Sequence, residues 1–251
     1  MKNLFGFAAA ILLFSACQTT SNNSEKIDLS KYPEAIQQVL AQHGGLENWN
    51  KMHGLQYRVN KEIHTIDLKN RRDKITSPDY KLGFDGTDIW LDADTSFKRN
   101  AAFYHNLYFY FYAMPFVLAD EGTIYSETSP ITIDSVTYPG VKVSFEDGVG
   151  QVSKDEYLLH YHPETHQMAW LGYTVTYYTK EKGSKFSWIN YKNWDTFNGV
   201  VLPTELEWYK EAEGIWESKG KSQIFEDILL QETSFSDEKF EKSENARIVK
   251  E

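Results

Sequence analysis

The densest set of metal-ligand side chains in the sequence is His160-Tyr161-His162-Pro163-Glu164-Thr165-His166. On a strand, alternation puts His160 and His162 on one face. His166 or Glu164 would come back across the following turn, and two imidazoles with such a third ligand make a zinc set. The same residues also form an ordinary hairpin signal, and a plain turn is the commoner meaning. His43 and His53 each precede a glycine at the end of a predicted short helix, where an imidazole more often caps a carbonyl than does chemistry. The acids Glu146-Asp147 and Asp155-Glu156 border a Gly148-Val149-Gly150 loop. They read as solvated charge, because nothing fixes two carboxyls at a glycosidase separation. Asp92-x-Asp94-x-Ser96 opens like a calcium loop. It then has Phe97 where the turn needs glycine and Phe103 where the bidentate glutamate belongs. Gly-x-Ser-x-Gly, His-Glu-x-x-His and Gly-rich phosphate-loop patterns are absent. The expectation is no metal, no cofactor and no enzyme, with a hydrolase built from scattered residues as the weakest alternative.

Cys17, the sole cysteine, carries the one clear chemical signal. Met1-Lys2-Asn3 is a short basic start, and Leu4 to Ala16 is an uncharged run of 13 residues. A membrane-spanning helix needs about 20; this run has the length of a signal-peptide core. Leu13-Phe14-Ser15-Ala16-Cys17 resembles a bacterial lipobox, with Phe14 a departure from the usual residue there. The expected organisation is a signal peptide over 1–16, a flexible tether over 17–30 and one domain over 31–251. Acylated Cys17 would bind a membrane, each buried CH₂ contributing about 0.8 kcal/mol. Gln18 rather than Asp after the cysteine resembles the signal for outer-membrane delivery, so a lipid-anchored position in the cell envelope is expected.

The rest of the chain must position these groups. It has 251 residues, with Lys+Arg 26 against Asp+Glu 36 and a formal charge of −10. Such a balance is a poor match for phosphate backbones, so no nucleic-acid partner is expected. Hydrophobic residues reach 41% and aromatic residues 15%, enough to fold without a disulfide framework. Ala35, Ile36, Val39 and Leu40 fall at helical spacing after Pro33, and Gly44-Gly45 ends the run. Leu46 to Met52 forms a second short helix. Strand patterns follow. Leu55, Tyr57, Val59, Lys61 and Ile63 share one face of a predicted strand. Tyr80 to Phe84 runs to the Asp85-Gly86 turn, and Ile89 to Leu91 follows it. Later strands are expected at 141–145, 157–161, 169–178, 186–194, 200–209 and 220–230, with Asn198-Gly199 as the best hairpin signal. The charged end from about Ser236 is expected to fray. Many antiparallel strands spaced by turns argue for one continuous sheet or barrel.

Leu107 to Leu118 reads LYFYFYAMPFVL, and a helix over about Thr95 to Met114 is predicted. An all-round apolar helix must be buried, membrane-bound or against a ligand. Three roles stay open: a core helix on the concave face of the sheet, a lid lining a lipid-like cavity, or an element at a membrane surface. Tyrosines favour a surface part greasy and part wet, the mixture found in ligand pockets. The candidate cavity wall is Trp90, Phe103, Tyr108, Phe111, Phe116, Trp170 and Trp188.

Three motifs taken in order carry a resemblance. His43-Gly44-Gly45-Leu46-Glu47-Asn48-Trp49 followed by Leu55-Gln56-Tyr57, then the Met114-Pro115-Phe116 segment, then Asn198-Gly199-Val200-Val201-Leu202-Pro203-Thr204, resemble outer-membrane lipoprotein-sorting proteins of the LolA/LolB-like group. Met114 stands where an uncharacterised lipoprotein branch of that group has leucine. The resemblance implies a mainly β fold with helices (α+β): a strongly curved antiparallel half-barrel, covered by helices, with a hollow for acyl chains. A chain with its own anchor departs from the soluble carriers. The implied function is binding of a hydrophobic ligand or a lipidated protein. The alternative is an envelope interaction protein whose own helix fills the hollow.

Overall fold

The structure, a computed structural model, describes residues 27–94, 97–146, 154–183 and 185–250. Cys17, the signal segment and most of the tether lie outside the described residues, as does Asp147. Two helices come first, α1 (Glu34–Gln42) and α2 (Gly45–Lys51). Five strands follow: β1 (Gly54–Val59), β2 (Glu62–Asp67), β3 (Asp73–Thr76), β4 (Tyr80–Phe84) and β5 (Ile89–Ala93). The helices α3 (Ala101–Tyr104) and α4 (Leu107–Tyr112) and a 3-10 turn (Phe116–Ala119) interrupt them. Then come β6 (Thr123–Glu127), β7 (Ile131–Ile133), β8 (Val136–Tyr138), β9 (Gly140–Phe145), β10 (Tyr157–Tyr161) and β11 (Met168–Tyr173). The long strands β12 (Ser187–Phe197), β13 (Val200–Ala212) and β14 (Ile215–Gln231) precede a short β15 (Arg247–Ile248).

Among the described residues, thirteen strands make one antiparallel sheet in the order β15-β5-β4-β3-β2-β1-β14-β13-β12-β11-β10-β9-β6. The ends β15 and β6 do not pair with each other, so the curved sheet stays open. This is the expected half-barrel class. Strand alternation sorts the side chains. Leu159, Leu171, Ile189 and Leu206 point to the concave side and join one core with α1, α2, α4 and the 3-10 turn. A smaller core gathers Ile75, Leu82 and Leu91 under α3.

The motif segments meet in space. Gly44 sits at φ +92°, and a Cβ there would lie 2.0 Å from the Gly199 carbonyl oxygen, so only glycine fits the approach. Val201 N–H donates to the His43 carbonyl at 3.0 Å. Asn198 (φ 48°) and Gly199 (φ 79°) make the two-residue β12–β13 turn that was predicted. Trp49 of α2 stacks on Phe116 at 4.6 Å and 7°.

Three expectations are corrected. The strand predicted through Ile63 is a hairpin: Asn60 takes φ 56°, the chain turns at Asn60-Lys61, and Glu62 and His64 go inward while Ile63 is exposed. The helix predicted over Thr95 to Met114 is broken. Asn100 caps α3 by accepting from Phe103 N–H at 3.1 Å, and at Asn106 the backbone leaves helical geometry before α4 begins. The C-terminal stretch is docked at Phe240 and β15. Phe240 is buried beneath the Arg72 guanidinium, and β15 pairs with β5.

Candidate functional site

Helices α3 and α4 cross the concave side and leave a hollow of about 160 Å³ against the strands. Tyr157 of β10 and Tyr173 of β11 are register partners on the inward face and form its floor. Phe103, Leu107, Tyr110 and Phe111 come from the helices, and Phe145 closes one side. The Phe111 ring lies 4.8 Å from that of Tyr173. Aromatic and aliphatic walls with few polar groups are what a small apolar ligand needs.

The polar part of the wall is acidic. Asp120, Glu121 and Asp155 line the hollow, and no Lys, Arg or His does so among the described residues. Asp155 was expected to be solvated charge. It is instead buried, and it accepts from Thr176 N–H at 2.6 Å, which fixes the loop after β11 across the hollow. Burial pushes its carboxyl above the ordinary range, against the lowering effect of that hydrogen bond. Glu156 faces Lys142 at 2.9 Å. Asp120 also has a raised pKa from burial, and it accepts from Arg71 Nη2 at 2.9 and 2.8 Å. No local pattern marks Asp120 or Asp155; Tyr157 and Tyr173 alternate with Leu159 and Leu171 and were in principle legible.

Of the predicted wall residues, Phe103 and Phe111 line the hollow. Tyr108, expected in the wall, does not line it: the ring is half-buried, edge-on to Tyr104 and His64. Phe116 is packed on Trp49 within the core. The three tryptophans alternate with the inward residues Leu91, Leu171 and Ile189, so they lie on the other face of the sheet. Trp90 and Trp188 each face a glycine on the paired strand, Gly83 and Gly172. A Cβ at either glycine would come within 2.9 Å of the indole, so each ring lies flat across its neighbour strand. Trp170 packs against Tyr209 and Trp216 at 4.9 and 5.2 Å. The concave-side position expected of these three is therefore corrected.

The aromatic segment divides its roles. Phe109, Tyr112 and Phe116 are core, Tyr110 borders the hollow, and Met114 and Leu118 belong to the core and also line the hollow. The histidines of the 160–166 segment have separate partners. His160 is buried on the outer face, 5.8 Å from Trp188, and burial lowers its pKa. His166 stacks on Tyr161 in the turn. Among the described residues no group of three His, Cys, Asp or Glu is placed to hold a metal ion. His53 lies 3.3 Å from the Ser234 hydroxyl.

The class defined by these elements is an open, mainly β half-barrel with helices across its concave side. A family model described as a family of unknown function (DUF6503) matches residues 91–213, from β5 to the end of β13. No curated protein matches the sequence. Solved structures to which the chain is similar include a LolA superfamily protein from Nitrosomonas europaea, at 12% identity, covering 82% of this chain and 97% of that one with a TM-score of 0.49. A DUF1329 family protein from Desulfovibrio piger has 10% identity, coverage of 81% and 97%, and a TM-score of 0.44. An outer membrane lipoprotein-sorting protein domain from Vibrio parahaemolyticus has 8% identity, coverage of 79% and 95%, and a TM-score of 0.39. No helix among the described residues is long and apolar enough to cross a membrane.

Proposed function

We propose that this chain is a lipid-anchored protein of the cell envelope that holds a hydrophobic, acyl-bearing ligand between α3–α4 and strands β9 to β11, with no catalytic step. The hollow floored by Tyr157 and Tyr173 carries this proposal. The lipobox-like Cys17 supports the anchor and the outer membrane as its place. A second function, an interaction protein with a self-filled core, is favoured by the burial of Phe109, Tyr112 and Phe116.

Native mass spectrometry followed by solvent extraction separates the two. The chain from Ser21 contains every described residue and lacks the anchor. The expected result is a stoichiometric acyl-containing adduct. Leu107 is half-buried and borders the hollow. Leu107→Trp should therefore abolish the adduct while changing the melting temperature little. A clean apo mass after incubation with fatty acids, acylglycerols and lysolipids would refute ligand binding and leave the interaction protein.

A further inference from the structure

Another hollow, of about 220 Å³, lies along α4 and is lined by Arg71, Asp73, His105 and Phe109. Asn106, just before α4, and Tyr110 within it line both hollows. Its polar lining is incompletely bonded. His105 Nδ1 lies 2.7 Å from Asp73 Oδ2, and Arg71 Nη2 is bonded to Asp120. Asp73 Oδ1, His105 Nε2 and Arg71 Nη1 are buried without a partner among the described residues. Asp73 and His105 are each only 4% exposed. A buried polar atom left unbonded is costly, so an occupant that satisfies several is strongly favoured.

The chemistry of these atoms restricts that occupant. Arg71 Nη1 can only donate, and the Asp73 carboxylate can only accept. An ionised carboxylate or phosphate has no hydrogen to offer Asp73. An ammonium has no lone pair for Arg71. A hydroxyl does both. Geometry points the same way: Arg71 already bonds both Asp120 oxygens and Asp73 Oδ2 already lies 2.7 Å from His105 Nδ1, so neither side chain is free to pair fully with a charged head group. The acidic wall of the first hollow repels anions further.

We propose that the Arg71–Asp73–His105 hollow is a subsite for the uncharged, hydroxyl-bearing head group of an acyl lipid, of the acylglycerol kind, whose chain lies in the first hollow. This rests on the acyl-binding function above and adds the class of head group.

Isothermal titration of the chain from Ser21 with 1-dodecanoylglycerol, methyl dodecanoate, dodecanoate and glycerol tests it. The glycerol ester should bind about tenfold more tightly than the methyl ester, and dodecanoate most weakly. In Arg71→Met, whose side chain is a third exposed in the parent, that advantage, read as the ratio of the two esters within the variant, should fall below about threefold. Asp73→Asn should act likewise, with a thermal melt showing that it folds; the wild-type series needs no variant. Equal binding of the two esters would mean that the hollow holds water only, and would overturn the head-group assignment while leaving acyl binding intact. Glycerol binding as tightly as its ester would assign the hollow to a free polyol and overturn the lipid. If no dodecanoyl compound binds, both proposals fall.

Discussion

The His43 imidazole is fixed in one tautomer by two backbone groups from different strands. Its Nε2 accepts from Met168 N–H at 3.1 Å, so Nδ1 carries the proton and donates to the Val201 carbonyl at 3.1 Å. The ring lies edge-on to Trp194 at 4.4 Å. Burial lowers its pKa from 6.5 to about 4. The unfolded chain therefore binds the extra proton first. The stability from neutral His43 is complete above about pH 6.5, is lost as pH falls toward 4, and amounts to about 3 kcal/mol. Buried Asp73 and Asp155 act in the opposite sense, since their raised folded pKa values favour the protonated folded state at low pH. Urea unfolding at pH 7 and pH 4.5 on the parent and His43→Gln isolates the histidine. The variant should be less stable at pH 7 and should lose distinctly less than the parent between the two pH values. Parallel pH profiles would show that His43 does not carry the dependence.

At the scale of elements, one carboxylate ties the α3 segment to the sheet. Glu62 at the start of β2 accepts from Tyr80 at 2.6 Å, Arg99 at 3.0 Å and Tyr104 at 2.8 Å, with His64 Nε2 at 3.2 Å. Burial raises its pKa, but the hydrogen bonds of His64, Tyr80 and Tyr104 outweigh that and hold it at about 2. Its stabilisation is present above about pH 4.5 and is lost as pH falls toward 2. Glu62→Gln keeps the shape and removes the charge, leaving donors unanswered; a loss of about 2–4 kcal/mol in denaturant unfolding is expected, with a weaker acid-induced decline below pH 4.5. A loss under about 0.5 kcal/mol would show that α3 docks by apolar contact alone. The sequence revealed the ends of this arrangement better than its middle. The helix end at Gly44-Gly45 and the Asn198-Gly199 turn depend on residues whose conformational needs are local, so they were legible; the approach of Gly44 to Gly199 is long-range and was not. Glu62 was not, because its inward position depends on a turn at Asn60, a residue that tolerates positive φ without requiring it. The hollow was legible only as an aromatic run. Asp120 and Asp155 join it through strand pairing and loop closure, which leave no mark at short spacing. Trp90 and Trp188 mislead for a similar reason: their glycine partners lie on other strands, and only the register shows which face the pair occupies.

An open sheet leaves two edges, and at one of them the chain supplies its own cover. β5 would present unpaired backbone groups to solvent, a template for pairing with another chain. Instead Arg247 and Ile248 pair with Leu91 and Trp90, and Val249 N–H donates to the Ile89 carbonyl at 2.8 Å. So short a strand cannot hold itself there, so its anchor must lie upstream. Phe240 is 1% exposed, the Arg72 guanidinium sits 4.7 Å over its ring, and the same guanidinium bonds Asp67 at 2.7 Å and Asp237 at 2.8 Å. Asp237 is solvent-exposed, so its ion pair contributes little, and the buried ring is the main hold. Phe240→Ala should then act in two ways. It should cost about 3–5 kcal/mol if the end segment unfolds together with the sheet, as a buried phenylalanine does. If the segment detaches on its own, global stability should fall by less, and hydrogen exchange should show amides of 89–93 losing protection before those of 54–59. Independent detachment should also bring concentration-dependent association through the bared β5 edge, read by light scattering, whereas cooperative unfolding leaves the folded variant's edge covered. A variant that stays monomeric with protected β5 amides would show that β15 holds without Phe240, and that the edge is closed by its own hydrogen bonds.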